Sequence, residues 1–342
     1  MRIIVSILKF LILLAVAGGS IYAANQTQTP RPTLTERTGP AIVDAKTWGY
    51  QLQHARPEFI DQSVDVIVID YARDGRDETA WRAADIEAFR QRPNNKPRIV
   101  LAYMSIGEAE NYRFYWQPTW SHLLTAAATK PAWLADENSE WKGNFLVRYW
   151  HPDWQKIFVS PGRTLLDQAL ENVFPWRKPY IDRIIDAGFD GVYLDRVDAF
   201  QEWSKDRTSS ENDMVAFTAR LSRYAKARHP GFLVVPQNGE ELLRRADYRR
   251  LIDGVAKEDL FFGVNGQGKE NSGEEINRSI LMLNRATADR LPVFVVEYLK
   301  DRARQAAISD RATKLGYIIH FADRELNRSP ETVTLKGVSP PK

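Results

Sequence analysis

Asp195 and Asp198 close the segment Gly188-Phe189-Asp190-Gly191-Val192-Tyr193-Leu194-Asp195-Arg196-Val197-Asp198. An apolar run that stops on two acids reads as a buried strand with carboxylates at its C-terminal end. Other apolar runs here stop the same way. One ends at Asp70 and Tyr71, another at Tyr103 with Glu108, Glu110 and Tyr112 beyond it. Later ones end at Gln237, Asn238, Glu240 and Glu241, at Lys257, Glu258 and Asp259, and at Glu297 and Tyr298. In a parallel α/β barrel the strand C-termini converge on one mouth, where chemistry is done. Carboxylates crowded there are pushed apart in pKa, which separates an acid from a base or nucleophile.

The elements that position these residues are legible as alternation. Candidate strands are Trp48–Gln53, Val64–Asp70, Arg98–Met104, Gly191–Asp195, Phe232–Gln237, Gly254–Glu258, Val293–Tyr298 and Tyr317–Phe321. Helical patterns fall at Ala84–Arg92, Tyr180–Ala187, Asp213–Arg228, Glu274–Asp289 and Arg302–Lys314. The alternation predicts an α/β fold, a single (β/α)₈ TIM barrel over residues 41–328. The other arrangement, an open doubly wound sheet, needs a phosphate-cradling Gly-rich turn after its first strand. His54-Ala55-Arg56-Pro57 is no such turn.

A long aromatic-rich insertion is expected after strand three. Residues 105–179 carry Trp116, Trp120, Trp133, Trp141, Trp150, Trp154 and Trp176, with Val147-Arg148-Tyr149-Trp150 as a candidate extra strand. Most of these rings read as packing between loop and barrel. Two carboxylates across a groove with aromatic walls is also the layout of a glycoside hydrolase. Each acid has a plainer reading as well. Asp70, Glu240 or Glu241 could cap a helix, Asp198 could pair with Arg196 or Lys257, and Tyr50 and Tyr298 could fill the barrel.

Composition bounds the rest. The chain has 342 residues and no Cys, which excludes disulfides, thiolate metal sites and Cys nucleophiles. Its five His residues lack ligand spacing, and no Gly-x-Ser-x-Gly elbow occurs. No cofactor or metal is expected. Arg2 and Lys9, the apolar run Phe10–Ala17 and small residues at Ala23 and Ala24 follow the order of a secretory signal peptide over 1–23, with an uncleaved membrane anchor as the alternative. Removing it leaves 45 of the 47 basic residues against 44 acidic ones, a net of +1 that argues for no nucleic-acid partner. Residues 24–40, rich in Thr, Gln and Pro, read as a disordered linker, and 329–342 as a flexible tail. A secreted or periplasmic protein is expected, without a stable membrane partner once the signal is cleaved.

Several segments together resemble glycoside hydrolase family 114, the endo-α-1,4-polygalactosaminidase-like family. They are Trp48-Gly49-Tyr50-Gln51-Leu52, Val66–Tyr71, Ala102–Glu110, Gly188–Asp198, Gln237-Asn238 and Pro292–Tyr298. The resemblance implies a (β/α)₈ barrel that hydrolyses α-1,4-linked galactosamine-containing polysaccharide with retention. It maps the nucleophile to Asp195 and the general acid to Glu258, with Glu240 and Glu241 as nearby competitors. Lys257 stands before that acid where better-known members have a polar or small residue. Tyr50, Asp70, Tyr103, Glu108, Tyr112, Asp198, Asn238, Glu297 and Tyr298 are expected to shape and hold the sugar. The competing readings are a catalytically silent glycan-binding protein of the cell envelope and a hydrolase of another glycan.

Overall fold

The computed structural model describes residues 41–93, 96–121, 130–160 and 177–327, with positions 162, 164, 166, 167, 171 and 174. The expected signal segment, linker and tail lie outside the described residues, as does Trp176. All described residues belong to one compact unit.

In chain order the strands are β1 (Trp48–Tyr50), β2 (Val66–Asp70), β3 (Ile99–Ser105), β4 (Glu108–Glu110), β5 (Leu134–Glu137), β6 (Asn144–Val147), β7 (Gly191–Asp195), β8 (Leu233–Pro236), β9 (Val255–Glu258), β10 (Val293–Glu297) and β11 (Ile318–Phe321). They form a parallel sheet β1-β2-β3-β7-β8, a second parallel sheet β9-β10-β11, and a small antiparallel sheet β4-β6-β5. A parallel bridge between Gln237 and Ala256 links the edge of β8 to β9. Where β1 meets β11, the Tyr50 N–H donates to His320 Nε2 at 3.4 Å.

The apolar runs are continuous, as strands covered on both faces require; β2, for instance, is Val-Ile-Val-Ile-Asp and buried throughout. Alternate residues face two cores. One cluster gathers side chains from seven parallel strands, including Trp48, Val68, Tyr103, Tyr193, Val235, Ala256 and Phe294, and Ile318 of β11 packs against it. The other faces the helices and holds Ile67, Ile69, Val192, Leu194 and Val295. Helices Tyr180–Ala187 and Arg302–Lys314 take their expected bounds. The first stops at Gly188, whose φ of 89° is the left-handed cap that glycine adopts without strain.

The expected strand Val147–Trp150 is displaced. Strand β6 ends at Val147, and the chain then turns, the His151 N–H donating to the Arg148 carbonyl at 2.8 Å. Tyr149 is drawn inward, its hydroxyl donating to the Ser210 carbonyl at 2.8 Å. Trp120, Trp133 and Trp154 are buried in a chain of ring contacts, with centroids 5.3 and 4.7 Å apart. Trp141 and Tyr112 stand exposed.

Candidate active site

Strand register sets the site. Ser105 of β3 lies level with Asp195 of β7, Leu194 with Pro236 of β8, and Glu258 of β9 with Val296 of β10. The ends of β7, β8 and β9 therefore lie side by side. Each is followed by a left-handed turn at a residue other than glycine: Arg196 (φ 58°), Asn238 (φ 59°) and Asp259 (φ 53°). Such conformations persist where the surroundings enforce them, and they concentrate at functional sites. The first is enforced by close packing, since a Cβ at Gly107 would sit 2.2 Å from the Arg196 carbonyl oxygen.

Three side chains then meet. Gln237 Nε2 lies 3.0 Å from Asp195 Oδ1 and 3.0 Å from Glu258 Oε2. The nearest oxygens of the two carboxylates are thus no farther apart than twice that distance, about 6 Å. Tyr103 donates its hydroxyl to Asp195 Oδ2 at 2.6 Å, and Tyr298 donates to Glu258 Oε1. Tyr193 donates to Gln237 Oε1 at 2.6 Å. Tyr50 packs 5.0 Å from the Tyr193 ring and its phenol is held well above its ordinary pKa, first by burial and then by Tyr193 and Asp195.

Burial raises both carboxyls. Glu258 is pushed up to about 7 by desolvation, which Tyr298 opposes and Asp195 reinforces. Asp195 is also raised by burial, against the Tyr103 hydroxyl and the positive charge of Arg196. An acid that keeps its proton near neutral pH beside a hydrogen-bonded carboxylate can deliver that proton while its neighbour attacks.

The other expected residues fall in separate networks. Asp70 and Glu110 grip the buried Arg113, at 2.8 Å to Nη1 and 2.6 Å to Nε, and Tyr112 donates to Glu110 at 2.6 Å. Burial opposes the charge on Arg113, but Asp70 and Glu110 hold its pKa well above the ordinary value. Glu108 is buried against Arg196 Nε at 3.0 Å and accepts from Asn138 at 2.8 Å. Asp198 lies beyond Asp195, 3.7 Å from Arg196, and desolvation raises it to about 6. Asn238 accepts the Glu258 N–H at 3.1 Å and so fixes the backbone of β9. Glu297 is fully buried and accepts the N–H groups of Phe261 and Phe262 at 2.7 and 3.2 Å, which leaves no face open to a sugar. Of the competing acids, Glu240 bonds Ser279 at 2.5 Å and faces Lys257 at 3.5 Å, and Glu241 accepts from Gln201 at 2.9 Å.

The central residue, Gln237, carries no charge, so a search for acids at strand ends passes over it. Tyr193 and Arg113 escape for a related reason. One lies inside an apolar run, the other in the segment after β4. The available signal was the pair Gln237-Asn238 at the end of a strand between two that end on acids.

A model of glycoside-hydrolase family GH114 matches residues 24–337. Uncharacterized proteins are similar over most of their length. One from Methanocaldococcus jannaschii is 35% identical, the match covering 82% of this chain and 77% of that protein. One from Deinococcus radiodurans is 32% identical, covering 94% and 96%. Among solved structures, the glycoside hydrolase domain of PelA from Pseudomonas aeruginosa superposes with a TM-score of 0.57 at 18% identity, covering 83% of this chain and 96% of that one. The shared fold is α/β with a parallel sheet.

Proposed function

The chain belongs to glycoside-hydrolase family GH114, and from that premise we propose that it cleaves α-1,4 bonds in a galactosamine-containing polysaccharide with retention. A carbohydrate substrate follows from the family; the linkage, the amino sugar and the stereochemistry are our reading. We read the two parallel sheets as arcs of one closed eight-stranded barrel. The inner cluster drawn from seven of the strands, with Ile318 of the eighth packed against it, and the bridge from Gln237 to Ala256 support this.

The observation that carries retention is the single amide shared by both carboxylates. Retaining glycosidases hold their carboxyl groups about 5–5.5 Å apart, while inverting enzymes need about 6.5–9.5 Å to seat a water. A nearest-oxygen limit of about 6 Å favours the first. Glu258 gives its proton to the glycosidic oxygen as Asp195 attacks the anomeric carbon. The C–O bond to the leaving sugar breaks and a glycosyl ester forms. Glu258, now ionised, takes a proton from water as that water attacks the same carbon, and the ester bond breaks to return Asp195 as carboxylate. The assignment of the acid rests on contrast: Glu258 is raised to about 7, whereas Glu240 is lowered.

The amino sugar is supported by charge. Asp198 keeps 27% of its side chain exposed beside Asp195 and only a loose contact with Arg196, so an ammonium group would find an acceptor there. The basic, apolar and small-residue order of residues 1–23 supports export.

The test is incubation of the purified chain with deacetylated polygalactosamine and with galactosaminogalactan, products being read by mass and by the anomer first released. Release of the α-anomer is expected. Asp195→Asn and Glu258→Gln should each lose on the order of 10³-fold or more in turnover. Binding without release by the wild type would replace this reading with the glycan-binding one. Full turnover in either variant would refute the site.

A further inference from the structure

We propose that Gln237 is a positioning residue that spaces the two reacting carboxylates and donates to whichever of them bears the negative charge. The chemistry rests on the glycosidase reading above; the tether itself rests on contacts.

Asp195 and Glu258 have matched surroundings. Each accepts one tyrosine hydroxyl, from Tyr103 and Tyr298 respectively, and each accepts from the same nitrogen, Gln237 Nε2, at 3.0 Å. Two carboxylates facing one amide require its NH₂ side, which has two hydrogens to give. The opposite end is fixed by Tyr193, whose fully buried hydroxyl donates to Oε1 at 2.6 Å. A flipped amide would turn its oxygen on the ionised Asp195, which has no hydrogen to give. Asp195 thus sets the orientation of the amide, and the Tyr193 hydroxyl holds it from below.

Among the described residues the side-chain hydrogen-bond donors on this pair are neutral, and the charges that face it without bonding it include Arg196 at Asp195 and Arg324 and Asp259 at Glu258. A cation at the same place would hold both groups ionised and remove the acid. In the first step Asp195 loses its charge to the ester while Glu258 gains charge by giving up its proton. The negative charge moves from one oxygen that Gln237 bonds to another that it also bonds. A donor shared by both follows the charge without moving, which is preorganised stabilisation at no reorganisation cost.

The test separates tether from substrate. Full-length wild type, Gln237→Met and Tyr193→Phe are labelled with ¹³C at the Asp and Glu carboxyls and titrated by NMR without sugar, circular dichroism checking the fold. Removing an N–H donor disfavours the ionised form, so the Glu258 midpoint should rise by about one pH unit in Gln237→Met, and by less in Tyr193→Phe. With deacetylated polygalactosamine, kcat should fall on the order of 10²-fold in Gln237→Met with KM changed less than about threefold. If Gln237→Met fails to fold, Tyr193→Phe decides. Unmoved midpoints in the folded variants overturn the proposal, and so does a loss confined to KM, which would make Gln237 a sugar contact. Shifted midpoints with no hydrolysis by the wild type keep the tether and sink the substrate reading.

Discussion

Glu258 ends β9 and Glu240 opens the short helix that follows β8; both are largely withdrawn from water, yet their partners differ in kind. Glu258 accepts from an amide and a phenol. Glu240 accepts from Ser279 and faces the ammonium of Lys257 at 3.5 Å. Burial works to raise both. At Glu258 it wins, and the carboxyl reaches about 7. At Glu240 Lys257 outweighs it together with Ser279, and the carboxyl is lowered. Neutral donors satisfy a buried acid without committing it to a charge, whereas a cation pulls it toward the charged form. How far it pulls depends on burial: Asp70 beside Arg113 and Glu108 beside Arg196 are still raised, because desolvation outweighs their guanidinium partners. Asp195 is held by Tyr103 and Gln237.

The sharpest way to break this comparison is to neutralise each glutamate in turn. Glu258→Gln should lose on the order of 10³-fold in kcat/KM, because proton delivery is removed. Glu240→Gln should keep turnover within about threefold, because its carboxylate only anchors Lys257 and Ser279. Steady-state rates on the polymer that the wild type cleaves give both numbers. Comparable losses would mean that Glu240, not only Glu258, handles a proton.

Much of this was legible in advance. Runs such as Val66–Asp70 and Gly191–Asp195 are apolar throughout because helices and an inner core cover both faces, and they read as strands without help. Asp195 and Glu258 were visible as acids at strand ends. Other features were hidden because they depend on pairing between distant segments. The first strand stops at Tyr50, short of the expected Gln53, because beyond Gln51 the backbone bonds Leu326 instead of a strand. Glu108–Glu110 is a strand only because β6 pairs with it, and three residues of Glu-Ala-Glu carry no strand signal of their own. Gln237 bridges two acids only once β8 lies between β7 and β9, so its role is a property of the fold and not of its neighbours in sequence.

A gentler probe sharpens the contrast through pH. The acid must hold its proton, so kcat/KM should fall as pH rises past about 7, where Glu258 ionises. Tyr298→Phe removes a donor that favours the ionised form, so this limb should move up by about one unit. Glu240→Gln should leave it in place, since that carboxylate is ionised well below this range. A pH–rate profile from 5 to 9 on each variant reads the shift. A limb unmoved by Tyr298→Phe would show that another group sets it.

The smallest effect separates the two glutamates by stability, and its signs are opposite. Glu258 titrates at about 7 when folded against an ordinary 4.5, so between those values the folded state binds more protons than the unfolded one. Its contribution is fully present below the lower value and is lost as pH rises through the upper. The loss is on the order of 3 kcal/mol if the whole shift is realised. Glu297, raised to about 8 by burial, adds a second slope of the same sign. Glu240 runs the other way. Its lowered pKa contributes stability above the ordinary value, and that is lost as pH falls through the folded one. The wild-type Tm should therefore decline from pH 5 to 8. Glu258→Gln should flatten part of that decline and leave the slopes due to Asp198, raised to about 6, and Glu297. Glu240→Gln should change nothing in that window and flatten only the acid side, below about pH 4.5. Calorimetric melts of the three proteins across pH 3.5 to 8 read all of this. A Glu240→Gln curve flattened between pH 5 and 8 would mean that Lys257 does not hold Glu240 ionised, and the rule drawn from the pair would fail at its second member.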